Sequence, residues 1–223
     1  MNESYTPDRR PLGARDWNLS NVASAWLVKI GASPNVISVT GLFASIGVCA
    51  AFVASSHCEN PALWLVVGCL LILVRGMCNM LDGMVAVSQG VASAGGEMFN
   101  EIPDRLSDAL TLVGAGYAIG GTPELGYIAA IAAVFTAYVR VQGCSLGTKA
   151  DFCGPMAKVN RMIVIIVAAL YTAFAPSAWQ PVCPDCPSSG ALTIALAIVI
   201  VGCVITSIRR LRHTFGFLKA KES

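Results

Sequence analysis

Charge is scarce in this sequence. Asp, Glu, Lys and Arg make up 13% of its 223 residues, about half the ~25% usual in soluble domains, while hydrophobic residues make up 55% and the mean hydropathy is +0.66. A water-soluble globular domain is thereby excluded, and an integral membrane protein is expected. The formal net charge of +2 is too small to point to nucleic acid as a partner. No metal-ligand set of His and Cys is readable, because the nine cysteines are scattered and several sit in apolar runs, where cysteine behaves as a small hydrophobe. Cys183 and Cys186 form a lone CxxC beside two prolines, without the second pair that a zinc site requires. A basic start followed by an apolar middle is also missing. The first seventeen residues are polar with charges of both signs, so the first apolar helix is expected to serve as the membrane signal. With no internal repeat and no low-complexity linker, a single domain over residues 1–223 is expected.

Apolar helices dominate what is present. Leu19, Val22, Trp26, Leu27 and Ile30 recur at helical spacing, the pattern of an amphipathic interfacial helix or of an ordinary packed one. Pro34 breaks the pattern and closes a cytoplasmic segment at residues 1–34. Six segments of spanning length follow within residues 35–208, near Val36–Ser55, Pro61–Met80, Arg105–Gly121, Leu125–Val141, Val159–Ala175 and Ala191–Ser207. The third spans only if Asp104 and Asp108 share its helix. The fold expected is therefore all-α, six transmembrane helices preceded by an amphipathic interfacial helix. Loops at 56–60, 122–124 and 176–190 contain no Lys or Arg, whereas Arg9, Arg10, Arg15, Lys149, Lys158 and the basic tail at 209–223 fall on the other side. By the positive-inside rule both termini are cytoplasmic, and a multi-pass protein of a bacterial-type inner membrane is expected.

Within this apolar background, the stretch from Arg75 to Asp108 gathers carboxylates and carboxamides. Ionisable groups at such positions face a cavity or a partner. At about 100° per residue, Arg75, Asn79, Asp82 and Ala86 fall within roughly 60° of one another, and Glu97, Asn100, Glu101, Asp104 and Asp108 within roughly 100°. Two polar faces, joined by a small-residue loop, can therefore converge on one oxygen-rich site. Such oxygens suit a hard cation, Mg²⁺, Mn²⁺ or Ca²⁺, and a pair of ions would neutralise a pyrophosphate. Gly83 and Gly96 allow close approach of a nucleotide to the backbone. The alternative use of these groups is hydrogen bonding between helices. A second, basic constellation comprises Arg140, Lys149, Lys158 and Arg161 around a Gly-Pro break. Arg140 lies in an apolar run and is expected to face a cavity or an anion, and Lys158 and Arg161 to hold a phosphate of a donor or an acceptor.

The spacing Asn79-x2-Asp82-Gly83-x2-Ala86-Val87-x8-Gly96-x3-Asn100-x3-Asp104 resembles the signature D-x2-D-G-x2-A-R-x8-G-x3-D-x3-D of the CDP-alcohol phosphotransferase family. Every interval matches, while Asn79, Asn100 and Val87 replace two Asp and the Arg. The segment Ser33 to Ser38 and the segment GPMAKVNR are similar to further parts of the family, the latter to a bacterial branch. The resemblance implies transfer of a substituted phosphoryl group from a CDP-alcohol, usually CDP-diacylglycerol in bacteria, to an acceptor hydroxyl, with release of CMP. It places the general base at Asp104, with Asp108 one turn further as the alternative. Metal ligands map onto Asn79, Asp82, Asn100 and Asp104 for two ions, Mg²⁺ or Mn²⁺, and Glu101 is available to restore lost negative charge. Gly83, Ala86, Gly96, Arg140, Lys158 and Arg161 are the expected substrate contacts. The acceptor alcohol is left open, the family implies a homodimer, and the competing function is a lipid- or nucleotide-binding membrane protein whose catalysis was lost with the two Asp and the Arg.

Overall fold

The computed structural model describes residues 18–181 and 190–222. Arg9, Arg10, Arg15 and the Cys183–Cys186 pair lie outside them, and of Leu19 and Glu97 only the backbone is described. The described residues form seven α-helices and no strand: α1 Asn18–Lys29, α2 Pro34–Ala54, α3 Pro61–Ser88, α4 Ala94–Tyr117, α5 Pro123–Ser145, α6 Lys158–Phe174 and α7 Ala191–Glu222, with a short 3-10 turn at Ser177–Trp179.

Local chemistry sets the starts. Pro34, Pro61 and Pro123 open α2, α3 and α5, where a missing N–H costs nothing and a fixed φ suits the first turn. Asn60 caps α3 by accepting from the Leu63 N–H at 3.2 Å. Ser93 caps α4 by accepting from the Gly96 N–H at 3.2 Å. Among the described residues four helices are long and apolar enough to cross a membrane: Pro34–Ala54, Pro61–Ser88, Pro123–Ser145 and Ala191–Lys221. α4 and α6 pack among them, and α4 carries Asp104 and Asp108 in one helix with the apolar run that follows. α3 continues past Met80 to Ser88, and α7 past Ser207 to Glu222. An apolar run marks the thickness a helix can cross, not where its hydrogen bonding stops.

Six helices close into a ring in the order α2, α4, α5, α7, α6, α3, and α1 packs on α3. Its interior is filled by Val48, Phe52, Leu65, Ile72, Leu112, Ile165, Leu196 and Val199, all nearly inaccessible. Outward positions such as Leu70, Ile131, Phe135, Ile198 and Val201 stay exposed, as expected of a surface facing lipid. One end of the ring is tied together by its loops. Ser56 donates to the Tyr117 carbonyl at 2.7 Å, the Ile119 N–H to Ser55 Oγ at 3.1 Å, and the Gly190 N–H to the Gly120 carbonyl at 2.9 Å. These are the loops without Lys or Arg. The other end carries the α3–α4 connection, the loop at 146–157 and the polar residues of the site.

Candidate active site

Three helices bring the polar groups together. α3 supplies Arg75, Asn79 and Asp82, α4 supplies Asn100, Asp104 and Asp108, and the first turn of α6 supplies Lys158 and Arg161. The two polar faces expected from the sequence do meet. Asp82 is buried and its Oδ2 accepts from Ser38 Oγ on α2 at 2.8 Å, while its Oδ1 accepts from the N–H of Gly83. Ser38 Oγ also lies 2.7 Å from Asn100 Oδ1 and 3.1 Å from the Pro34 carbonyl. One hydroxyl proton thus faces three acceptors.

Beside it runs a chain of alternating charges. Lys158 Nζ donates to Asn79 Oδ1 and pairs with Asp104 Oδ2. Arg75 Nη2 reaches Asp104 Oδ1 at 3.4 Å, the Asp104 carbonyl at 3.2 Å and Asp108 Oδ1 at 2.8 Å. Arg161 Nη2 closes the chain on Asp108 Oδ2 at 2.7 Å. Arg75, Asp108 and Arg161 are each 3% exposed or less. Asp108, expected as an alternative base, therefore has both oxygens engaged and lines neither cavity of the site; it anchors two guanidiniums. Glu101, expected to join the metal ligands, instead pairs with Arg105 one turn on and with Arg140 of α5.

Two cavities adjoin these groups. The smaller, of about 10 Å³, is lined by Ser38, Asn79, Asp82, Asn100, Asp104 and Arg75 among others. The larger, of about 640 Å³, has Asp104, Lys158 and Arg161 on one wall and Arg140 and Arg210 on another. Its remaining wall is apolar, with Leu73, Met77, Ile163 and Ile166 between α3 and α6. Arg140 stacks 5.2 Å above the ring of Phe152. Arg210 donates to the carbonyls of Cys153 at 3.1 Å and Thr136 at 2.9 Å, which turns its cationic end toward the cavity wall. Arg161 Nε is buried without a hydrogen-bond partner among the described residues. Six cationic side chains against Asp104 and Glu101 on the walls leave the cavity strongly positive, suited to a phosphorylated ligand.

The sequence reading missed Arg210 and Ser38. Arg210 falls in the basic tail expected at 209–223, and Thr206, Ser207 and Arg210 form a polar, buried stripe on one face of α7, a signal available from their spacing. Gly83, Ala86 and Gly96 lie outside the walls of both cavities. The loop that leads into α6 is fixed at Asp151: burial pushes its carboxyl up, but hydrogen bonds from the Cys153 S–H and N–H and from His213 outweigh that and hold it below the usual range.

Among the described residues no three His, Cys, Asp or Glu side chains converge as a metal site. A cation here must therefore use carboxamide and hydroxyl oxygens too. The small cavity meets that demand, since Asp82, Asn79, Asn100 and Asp104 surround a space about the size of one water, with the surplus of acceptors at Ser38. The residues fit a hard divalent ion.

Residues 32–208 match the CDP-alcohol phosphatidyltransferase family, and the chain belongs to that family. It is 25% identical over 199 residues to the phosphatidylinositol phosphate synthase of Mycobacterium marinum, covering 86% of this chain and 78% of that one. To the archaetidylinositol phosphate synthase of Methanothermobacter thermautotrophicus it is 27% identical over 144 residues, covering 64% and 68%. The crystal structure of the Mycobacterium tuberculosis phosphatidylinositol phosphate synthase with CDP-DAG bound superposes with a TM-score of 0.71 at 21% identity, covering 89% of this chain and 94% of that one. The same enzyme in complex with manganese and citrate gives a TM-score of 0.70 at 21% identity, covering 88% of each. At that identity the superpositions establish the shared fold.

Proposed function

We propose that this protein transfers the substituted phosphoryl group of a CDP-alcohol, CDP-diacylglycerol, to a hydroxyl of a phosphorylated polyol, with inositol phosphate the first candidate, and releases CMP. The observation that carries the reading is the larger cavity. It joins Asp104 and Lys158 to a cluster of Arg140, Arg161 and Arg210 on its polar side and to apolar residues of α3 and α6 on the other. A lipid-linked donor needs the apolar wall, and a phosphorylated acceptor needs the arginines. The names of the two relatives support inositol phosphate as the acceptor.

In this reading the acceptor oxygen attacks the phosphorus that carries the lipid alcohol. The bond to the CMP oxygen breaks, and the hydroxyl proton passes to Asp104. Arg75 and Lys158 hold the two Asp104 oxygens in place, while Arg140, Arg161 and Arg210 orient the acceptor through its phosphate. A divalent cation, Mg²⁺ or Mn²⁺, would be held by Asp82 with Asn100, and Asn79 and Asp104 line the same small cavity. When bound it supplies charge neutralisation of the pyrophosphate. The manganese in the related structure supports its presence. α4 and α6 complete six spans with α1 at the interface. The site and both termini face the cytoplasm, a reading supported by the absence of Lys and Arg from the loops tied at the far end. Incubation of the purified protein with CDP-diacylglycerol and isotopically labelled inositol phosphate should give a labelled phospholipid by mass spectrometry. Label appearing only with unphosphorylated polyols would overturn the assignment of the arginine cluster.

A further inference from the structure

The oxygen cluster has two unlike halves. At Asp82 and Asn100 the acceptors outnumber the donors, and among the described residues no Lys or Arg forms an ion pair with Asp82. At Asn79 and Asp104 the position between the two side-chain oxygens is taken by Lys158 Nζ, and Arg75 approaches the other Asp104 oxygen. These halves carry the sequence departures differently. Asn100 faces a hydroxyl, whereas Asn79 faces an ammonium. A carboxamide oxygen accepts a hydrogen bond from an ammonium without adding charge. Two divalent ions would bring four positive charges to a cluster where Lys158 and Arg75 already offset Asp82 and Asp104. In a buried site that repulsion is weakly screened.

We propose that this site takes one divalent cation, at Asp82 and Asn100, and that the Lys158 ammonium between Asn79 and Asp104 supplies the fixed positive charge in place of a second. The inference rests on the transfer reading above and deepens it. Lys158 is placed by the Ala157–Lys158 start of α6, directly after the Gly154–Pro155 break. Its charge is therefore delivered by backbone geometry and needs no ion to be recruited. In this arrangement the donor pyrophosphate meets one exchangeable cation and one covalently tethered one.

The test is the stoichiometry of Mn²⁺ binding to the purified full-length protein in lipid nanodiscs, followed by titration calorimetry and by loss of the free-ion paramagnetic resonance signal. The wild-type chain is expected to bind one Mn²⁺, lost in Asp82→Ala. Binding of two, or of none, overturns the inference without reference to any variant. In the triple variant Asn79→Asp, Asn100→Asp, Lys158→Met, which exchanges the ammonium for carboxylates, the stoichiometry is expected to rise to two; a folded triple variant that stays at one also overturns it. CMP release measured on the same wild-type preparation separates the two levels. Release with two Mn²⁺ bound contradicts only the single-cation inference, and one Mn²⁺ bound without release contradicts only the transfer reading.

Discussion

Asp104 has its two carboxylate oxygens held by different cations, Lys158 on Oδ2 and Arg75 on Oδ1, and it lines both cavities. Asp104→Asn keeps the shape and one acceptor while removing the charge and the proposed base. Turnover should fall on the order of 10²-fold or more while CDP-diacylglycerol binding is retained; CMP release at the wild-type rate would exclude Asp104 as the base. Asp108 plays a different part. Its replacement by Asn leaves Arg75 and Arg161 short of a buried counter-charge, so stability should drop by about 3–5 kcal/mol, read as a lowered unfolding midpoint in detergent. Arg210→Gln should raise the KM for the phosphorylated acceptor by about 10- to 100-fold and leave the KM for the donor unchanged. An equal rise in both would point to general loss of structure. Asn79, Asp82, Asn100 and Asp104 were legible in the sequence because oxygen-bearing residues at helical spacing in an apolar chain have few bland uses. Ser38 was not, since it gains its meaning only from helices distant in sequence; Arg210 carried a signal in its spacing with Thr206 and Ser207, but the cavity it lines is built by other helices.

At the scale of elements, the site depends on how α3, α4 and α6 are aimed. Pro103 lies inside α4 between Asn100 and Asp104 and removes one backbone bond from the turn that carries both. The entry to α6 turns on Gly154, whose φ of +115° places a notional Cβ 2.4 Å from Thr206 Cγ2. Thr206 is occupied in turn, accepting from the Met156 N–H at 3.0 Å. Gly154→Ala should therefore destabilise the chain by about 1–3 kcal/mol and weaken acceptor use, because the displaced loop carries Lys158 and Arg161; unchanged unfolding and unchanged KM would show that the turn does not set their position. The existence and order of the seven helices were legible from apolar runs and prolines. The ends of α3 and α7 were not, because hydrophobicity reports membrane thickness and is silent about a helix that continues beyond it.

The described residues form a ring of six helices with the polar groups of the site at one end and loops without Lys or Arg tied together at the other. The proposed transfer needs that segregation, because it puts every polar group of the site at one end of the ring. Single cysteines introduced at positions 57, 122 and 180 should react with an impermeant reagent from outside, and those at 92, 150 and 218 only from inside. Outside labelling at 150 would invert or break the six-span arrangement. The ring itself could not be read from the sequence, because contacts such as α3 with α6 join segments far apart in the chain and outward apolar residues look the same as inward ones. The most direct measurement is CMP release from CDP-diacylglycerol by the purified protein in lipid nanodiscs with Mn²⁺ or Mg²⁺, with and without inositol phosphate. Release that requires the cation and the phosphorylated acceptor, and that is lost in Asp104→Asn, is expected; tight binding of CDP-diacylglycerol with no CMP formed under any acceptor would show a binding protein instead of a transferase.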